Sequence, residues 1–297
     1  MSLIHQYVER VAAWVSAVLR HERSDSFSPL EGIVVLRRTC DSPIEVALYK
    51  PAFCLVLQGR KEVMVGDRVT SFGPGESLIV SHELPVTSRI IDASPTSPYL
   101  ALVLSLDIAM LRGMSQALPV SGVASKVDPR ALAVHSVDQD LMDAVERYLL
   151  LSKKPQDRDV LAPLVSKEIH YRLLTAPHGA MLRQLMRQDS RARHIAQAIS
   201  NIRRDFKATL IVSDLAKGVG MSTSAFHTHF KDVTETTPLQ YQKELRLLEA
   251  KRLIYEERLS VSAAAFEVGY GSATQFSREY SRKFGVPPSE DRINTPT

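Results

Sequence analysis

The chain has 297 residues, 44% of them hydrophobic, which is enough for two domains with real cores. No apolar run approaches the ~18 residues of a membrane-spanning helix. Two cysteines, Cys40 and Cys54, are too few for a disulfide scaffold, so a reduced, cytoplasmic protein is expected. The net charge of +4 is unevenly placed: Ser190 onward holds 16 basic and 12 acidic residues, while the remainder balances at 21 of each. An excess confined to one end suits a phosphate-contacting surface.

In chain order, Leu3 to Arg20 reads as an amphipathic helix with Ile4, Val8, Val11, Ala12, Val15, Val18 and Leu19 on one stripe. Glu9 and Arg10 interrupt it, and no cleavage site follows, so it is read as structure rather than a signal peptide. Its polar face is not strongly basic, which argues for protein packing over membrane-surface binding.

From Gly32 the pattern turns to short strands. They are expected near Gly32–Thr39, Glu45–Lys50, Phe53–Gln58, Lys61–Val65, Arg68–Phe72, Ser77–Val80, Thr87–Ile91 and Tyr99–Leu106. Gly66-Asp67 is a two-residue hairpin signal, and Pro74-Gly75 marks another turn. Regular short strands suggest a small sandwich or barrel that can enclose one small ligand. Alternation puts Phe53, Leu55 and Leu57 on one side and Cys54, Val56 and Gln58 on the other, without saying which is inward. The sole histidine of these strands is His82, and one imidazole cannot supply the ligands of a catalytic metal. No cofactor, no metal and no enzymatic activity are therefore expected. Cys54 and His82 are candidate ligand contacts, with a plain core role for Cys54 the favoured alternative. Cys40, near a turn, is the more exposed thiol.

Between Asp138 and Thr175 the pattern is helical again. Leu141, Val145, Tyr148 and Leu149 form one stripe, and Leu161, Leu164, Val165, Ile169 and Leu173 another. Such a pair could pack on the barrel or join two copies. TAPHG (175–179) reads as a break, and the following MLRQLMRQDSRA as a short helix or linker.

The carboxy-terminal part holds a duplication. VSDLAKGVGMSTSAFHTHFK, from Val212, returns as VSAAAFEVGYGSATQFSREYS, from Val261. Gly220 lies over Gly269, then Gly271 enters, after which Ser222 lies over Ser272, Phe226 over Phe276 and Phe230 over Tyr280. Each copy reads as helix, glycine turn and N-capped helix, the helix-turn-helix unit whose second helix can enter a major groove. Between the copies, Thr237-Pro238-Leu239-Gln240 opens a continuous helical pattern. Its roughly 20 residues would span about 30 Å, close to the ~34 Å between successive groove faces.

These residues resemble the AraC/XylS DNA-binding domain, in which a long helix joins two helix-turn-helix units. The resemblance is carried by LAKGVGMSTSAFHTHFK, TPLQYQKELRLLEAKRLI and, most specifically, GYGSATQFSREYSRKFGVPP. Glu235 stands where many members have Gly, and Asp291 where many have Tyr. The run from Pro29 to Asp107, with LQGRK, GPGE and HELPV as landmarks, resembles the cupin-like sensor domain of AraC-type regulators.

The expected fold is α+β multidomain. A helix over 1–28 precedes a cupin-like barrel over 29–110. A helical connector with candidate dimerisation helices (111–175) and a linker (176–192) lead to an all-α double helix-turn-helix domain (193–297). With Phe226 and Phe230 inward, Ser224, His227, Thr228 and Lys231 form an outward stripe. Thr274, Gln275 and Arg278 match it in the second unit, positions that the resemblance also marks as base-contacting. Arg278 could pair with guanine and Gln275 with adenine. Lys231, Arg282 and Lys283 suit phosphates, which position without specifying. The implied protein is a bacterial transcription regulator. Its expected partners are double-stranded promoter DNA, a small-molecule effector and RNA polymerase, with no membrane, as a monomer or homodimer. The rival readings are a cupin enzyme fused to a DNA anchor, and a ligand-independent regulator whose barrel only dimerises.

Overall fold

A computed structural model describes residues 3–22, 24–117, 129–176, 179–187 and 190–291. The amino-terminal helix α1 (Leu3–Glu22) leads into β1 (Ser26–Leu30), β2 (Ile33–Arg38), β3 (Glu45–Tyr49), β4 (Ala52–Gln58), β5 (Arg60–Val65), β6 (Arg68–Phe72), β7 (Glu76–Val80), β8 (Leu84–Ile91) and β9 (Tyr99–Ser105). Then come α2 (Ile108–Ala117), β10 (Leu132–Ser136), α3 (Gln139–Leu150), α4 (Pro155–Thr175) and α5 (Gly179–Met186). The last part is helical throughout: α6 (Arg191–Arg204), α7 (Val212–Gly218), α8 (Thr223–Thr234), α9 (Pro238–Tyr255), α10 (Val261–Glu267), α11 (Ala273–Phe284) and α12 (Pro288–Asp291). No described helix is long and apolar enough to cross a membrane.

The strands form two facing antiparallel sheets, β1-β2-β9-β4-β7-β10 and β3-β8-β5-β6, in a cupin-like arrangement that is not closed into a full barrel. Every strand expected from the sequence is present. Two further strands appear. β1 pairs with β2, and β10 pairs with β7 from Leu132 opposite Val80 to Ser136 opposite Glu76. The second lies in the stretch expected to be a helical connector. Its short Leu-Ala-Val-His-Ser run carries no strand signal that a helix would not share, and its pairing with β7 decides it.

Alternation now has a direction. Phe53, Leu55, Leu57, Leu100, Leu102 and Leu104 face a helical layer made by α1, α3, α4 and α5. Val8, Val11, Val15 and Leu19 of α1 press on that face, as their stripe foretold. Burial of each such side chain contributes about 1.5–3 kcal/mol. The opposite residues, Cys54, Val56 and Tyr99 among them, face the second sheet. In the helix pair, Ile169 and Leu173 are buried, whereas Leu161 and Leu164 lie exposed.

The second core does not stop at the sheets. Val56, Val63, Phe72, Leu84 and Val86 belong to one buried cluster with Ile195, Ile199, Phe226, Phe230 and Tyr241. The first helix-turn-helix unit is thereby packed against the sheets. The Tyr241 hydroxyl donates to the Glu83 carbonyl at 2.8 Å, and Ala131 N–H to the Val233 carbonyl at 2.9 Å. Arg203 pairs with Glu83. The second unit keeps its own core of Leu247, Leu253, Val268, Tyr270, Phe276 and Tyr280.

The two turn glycines, equivalent in the sequence, differ in their surroundings. Both are left-handed, Gly220 at φ 70° and Gly269 at φ 90°. A Cβ on Gly220 would meet nothing within 4 Å, whereas one on Gly269 would drive into the Lys207 carbonyl oxygen. Gly220→Ala should therefore cost about 1–2 kcal/mol, the left-handed penalty alone, and Gly269→Ala distinctly more. Urea denaturation of the two variants followed by circular dichroism checks the order; equal midpoints would contradict it.

Candidate nucleic-acid interface and sensor interior

Each recognition helix starts on a serine cap. Ser222 Oγ accepts from Ala225 N–H at 3.3 Å to start α8, and Ser272 Oγ accepts from Gln275 N–H at 3.3 Å to start α11. Phe226 and Phe230 are fully buried below α8, Phe276 and Tyr280 below α11. That fixes the rotation of both helices and turns the opposite stripe to solvent. Ser224, His227, Thr228 and Lys231 are all exposed on α8, as are Thr274, Gln275, Arg278 and Arg282 on α11. A depression of about 470 Å³ is lined by Ser272, Thr274, Gln275, Arg278, Glu279 and Arg282.

Local bonds shape these side chains. The Thr228 hydroxyl donates to the Ser224 carbonyl at 3.3 Å. The Gln275 amide donates to Glu279 at 3.2 Å. Burial alone would raise the Glu279 carboxyl. Hydrogen bonds from Tyr270, Lys243 and Gln275 outweigh it and hold the group below its ordinary range. Gln275 is thus pre-oriented by a charged anchor. Lys283 differs from the rest: it is half-buried and paired with Glu244 of α9 at 3.1 Å. The pairing directs its charge toward the spacer helix.

The spacer α9 carries residues that sequence reading passed over. Arg246 donates from Nε to the Phe206 carbonyl at 2.8 Å, from Nη1 to Gly269 at 2.9 Å, and from Nη2 to Lys207 at 3.0 Å and Ala208 at 2.9 Å. Gln242, one turn earlier, donates to the Phe206 and Ala208 carbonyls at 2.9 and 2.7 Å. These bonds tie the end of α6, the spacer and the second unit's turn together. Asp291, the departure noted at the chain's end, accepts from Tyr255 at 2.5 Å and Tyr280 at 2.6 Å, and pairs with Lys251 at 3.2 Å. It seals the base of α11.

The two candidate sensor residues separate. Cys54 faces the space between the sheets, next to Tyr99 and Lys61. His82 lies instead at the junction with α6, buried, with Nδ1 2.8 Å from Ser81 Oγ and Nε2 2.8 Å from the Ala192 carbonyl. The carbonyl takes a proton from Nε2, and burial keeps the ring neutral, which leaves Nδ1 as an acceptor beside the serine. Cys40 is exposed. Two more residues, Glu235 and Arg68, meet at the junction. Glu235 caps α8 with left-handed backbone, φ 59°, and its carboxylate holds Arg68 of β6 through contacts of 2.6 and 3.2 Å. Left-handed backbone costs a non-glycine about 1–2 kcal/mol, and the two-pronged charged contact offsets that cost. Glutamate in a glycine's usual place was the available signal.

The amino-terminal part matches the family model for the AraC-type transcriptional regulator N-terminus over residues 29–181. A helix-turn-helix domain model matches residues 215–293. The chain belongs to the AraC family of transcriptional regulators. Among its AraC-family relatives, the HTH-type transcriptional regulator ExsA of Pseudomonas aeruginosa is 29% identical over 146 residues, 49% of this chain and 51% of ExsA. The chain therefore spans about half the length of that relative, and 60% of the virulence regulon transcriptional activator VirF of Yersinia enterocolitica. A probable thc operon regulatory protein of Rhodococcus erythropolis is 27% identical over 78% of this chain and 74% of its own. The fold is that of Vibrio cholerae ToxT. An unliganded ToxT variant superposes with a TM-score of 0.57 at 8% identity, over 89% of this chain and 98% of ToxT. ToxT bound to (E)-4-(8-methylnaphthalen-1-yl)but-3-enoic acid gives 0.56 at 8% identity, over 87% and 97%.

The His82 junction predicts a pH dependence for this AraC-family chain. Burial pushes the imidazole down to about 4, against the opposing pull of the Ala192 carbonyl. The unfolded chain, with an ordinary pKa of about 6.5, takes up the proton first. Stability from this site is present above about pH 6.5 and lost as pH falls toward about 4. The loss should be on the order of 3 kcal/mol. Urea midpoints at the two ends of that window should fall further for the natural chain than for His82→Gln; parallel falls would contradict the assignment.

Proposed function

We propose that the protein is a sequence-specific, double-stranded DNA-binding transcription regulator, cytoplasmic and non-enzymatic, whose sheet domain answers to a small molecule. The observation that carries this reading is the pair of exposed recognition stripes on duplicated units joined by one helix. The 18 residues of α9 span about 27 Å, a scale suited to adjacent turns of one duplex face. Arg278 and Gln275 act as base readers and Ser224, His227, Thr228 and Thr274 as shorter contacts. Lys231 and Arg282 meet phosphates. Lys283 joins them only if its pairing with Glu244 opens.

The small-molecule part is supported by the sheet domain's shared core with the first unit, and by ToxT, which holds a small acid in one of its structures. A ligand shifts the regulator only through unequal affinity for two arrangements of that joint. A homodimer is favoured by the stripe on α4, where Val160, Leu161, Leu164 and Tyr171 are exposed. RNA polymerase is the partner through which such a regulator acts.

Arg278→Ala should weaken binding to the cognate promoter fragment by ~1–3 kcal/mol and relax preference at one base pair. Lys231→Ala should weaken all sequences alike and reduce the salt slope by about one. Fluorescence anisotropy on single-substituted duplexes over a salt series checks both. Uniform loss for Arg278→Ala would make it a phosphate contact, and salt-independent binding would refute the DNA reading.

A further inference from the structure

The second recognition helix carries a carboxylate beside its exposed stripe. Glu279 lines the depression on α11 together with Gln275, Arg278 and Arg282, and phosphate repels a negative charge at such a place. Three donors hold it there. Tyr270 of the turn donates to its Oε2 at 2.9 Å, and Gln275 donates to its Oε1 at 3.2 Å. The Lys243 ammonium of α9 sits 3.1 Å from the same Oε1, and the Glu279 side chain is only 13% exposed. Tyr270 is itself buried, with the Arg246 guanidinium 6.0 Å from its ring centroid. The carboxylate is thus fixed from the turn and from the spacer helix at once, and the charge of Lys243 offsets its own.

This arrangement restricts Gln275. An ionised carboxylate accepts hydrogen bonds and cannot donate one. The Gln275 amide must therefore present its nitrogen to Glu279, because its carbonyl oxygen would meet like charge. One of its two N–H groups is committed. One N–H and the carbonyl oxygen remain for a partner outside. In the major groove adenine offers the N6 amine as donor and N7 as acceptor, which that remaining pair matches. Guanine offers two acceptors, O6 and N7. An unrestrained glutamine can turn both N–H groups toward them. An anchored one cannot, and its carbonyl then faces O6.

The first unit has no counterpart. Fifty residues earlier, Ala225 stands for Gln275 and His229 for Glu279. Ala225 has no amide to orient, and His229 lies 3.7 Å from Asp232 instead. The restriction belongs to α11 alone.

We propose that Glu279 is a positioning residue for sequence specificity: by holding one N–H of Gln275, it makes α11 accept adenine and refuse guanine at the base pair that Gln275 reads. This rests on the DNA-binding reading above. It adds a base preference set by a side chain that does not itself touch the base.

The test uses the full chain to select bound duplexes from a randomised double-stranded pool, which are then sequenced. Gln275→Leu identifies the read position as the one where preference flattens. There the natural chain should favour adenine over guanine by roughly ten-fold or more. Glu279→Met should lower that ratio several-fold and leave the other positions unchanged. Added to Gln275→Leu it should alter no preference, because it acts through that amide. Tyr270→Phe removes a different bond to the same carboxylate, so it should lower the melting temperature and keep the preference. Should Glu279→Met not fold, Glu279→Gln takes its place, since it is equal in size and still accepts from Tyr270; it should relax the same ratio. An unchanged ratio in the folded variant, or an equal loss at every position, makes Glu279 a structural tie only and overturns the proposal. A Gln275→Leu pool with no flattened position overturns it as well. A pool from which the natural chain enriches no sequence overturns the DNA-binding reading instead.

Discussion

One guanidinium holds the two helix-turn-helix units in register. Arg246 reaches four backbone carbonyls, at Phe206, Lys207, Ala208 and Gly269. Three of them lie just after the end of α6, outside any helix. The fourth belongs to the turn of the second unit. Arginine's rigid fork of donors suits this task, and lysine's single ammonium does not. The Lys207 backbone lies so close to Gly269 that a side chain there is excluded. The separation of α8 and α11 is therefore set by backbone contacts around α9, not by the loops between them.

The two units differ in what else they touch. The first shares a core with the sheets, and Glu235–Arg68, Tyr241–Glu83 and His82–Ala192 reinforce that joint. The second has a core of its own. Any rearrangement of the sheet domain thus meets α8 and α9 directly, and reaches α11 through α9. Glu235 concentrates this logic. It ends a recognition helix in a conformation unfavourable to glutamate, and an arginine of another domain rewards that conformation.

The helical domain was legible because its determinants are local. Ser222 and Ser272 cap, Gly220 and Gly269 turn, and Phe226, Phe230, Phe276 and Tyr280 set helix rotation, all within a few residues. The strands were legible for the same reason. The inward face was not. Whether Leu55 or Cys54 points between sheets depends on which face α1 and α3 to α5 cover, a fact more than fifty residues away in places. Lys61, in phase with the buried Val63 and Val65, faces inward although its charge reads as solvent-facing. His82 lies at the junction with α6 and not between the sheets, because its partner carbonyl belongs to Ala192, on α6. Arg246 carries no sequence signal on a helix already rich in charge.

The central claim is a fixed distance between two groove readers within one chain. It is tested by binding to a cognate promoter fragment whose two half-contacts are moved apart. Insertion of about half a helical turn, ~5 bp, and of a whole turn, ~10 bp, should both abolish the tight complex, because α9 cannot lengthen to follow. Recovery of full affinity with the whole-turn insertion would show that the two readers move independently, and would contradict the account.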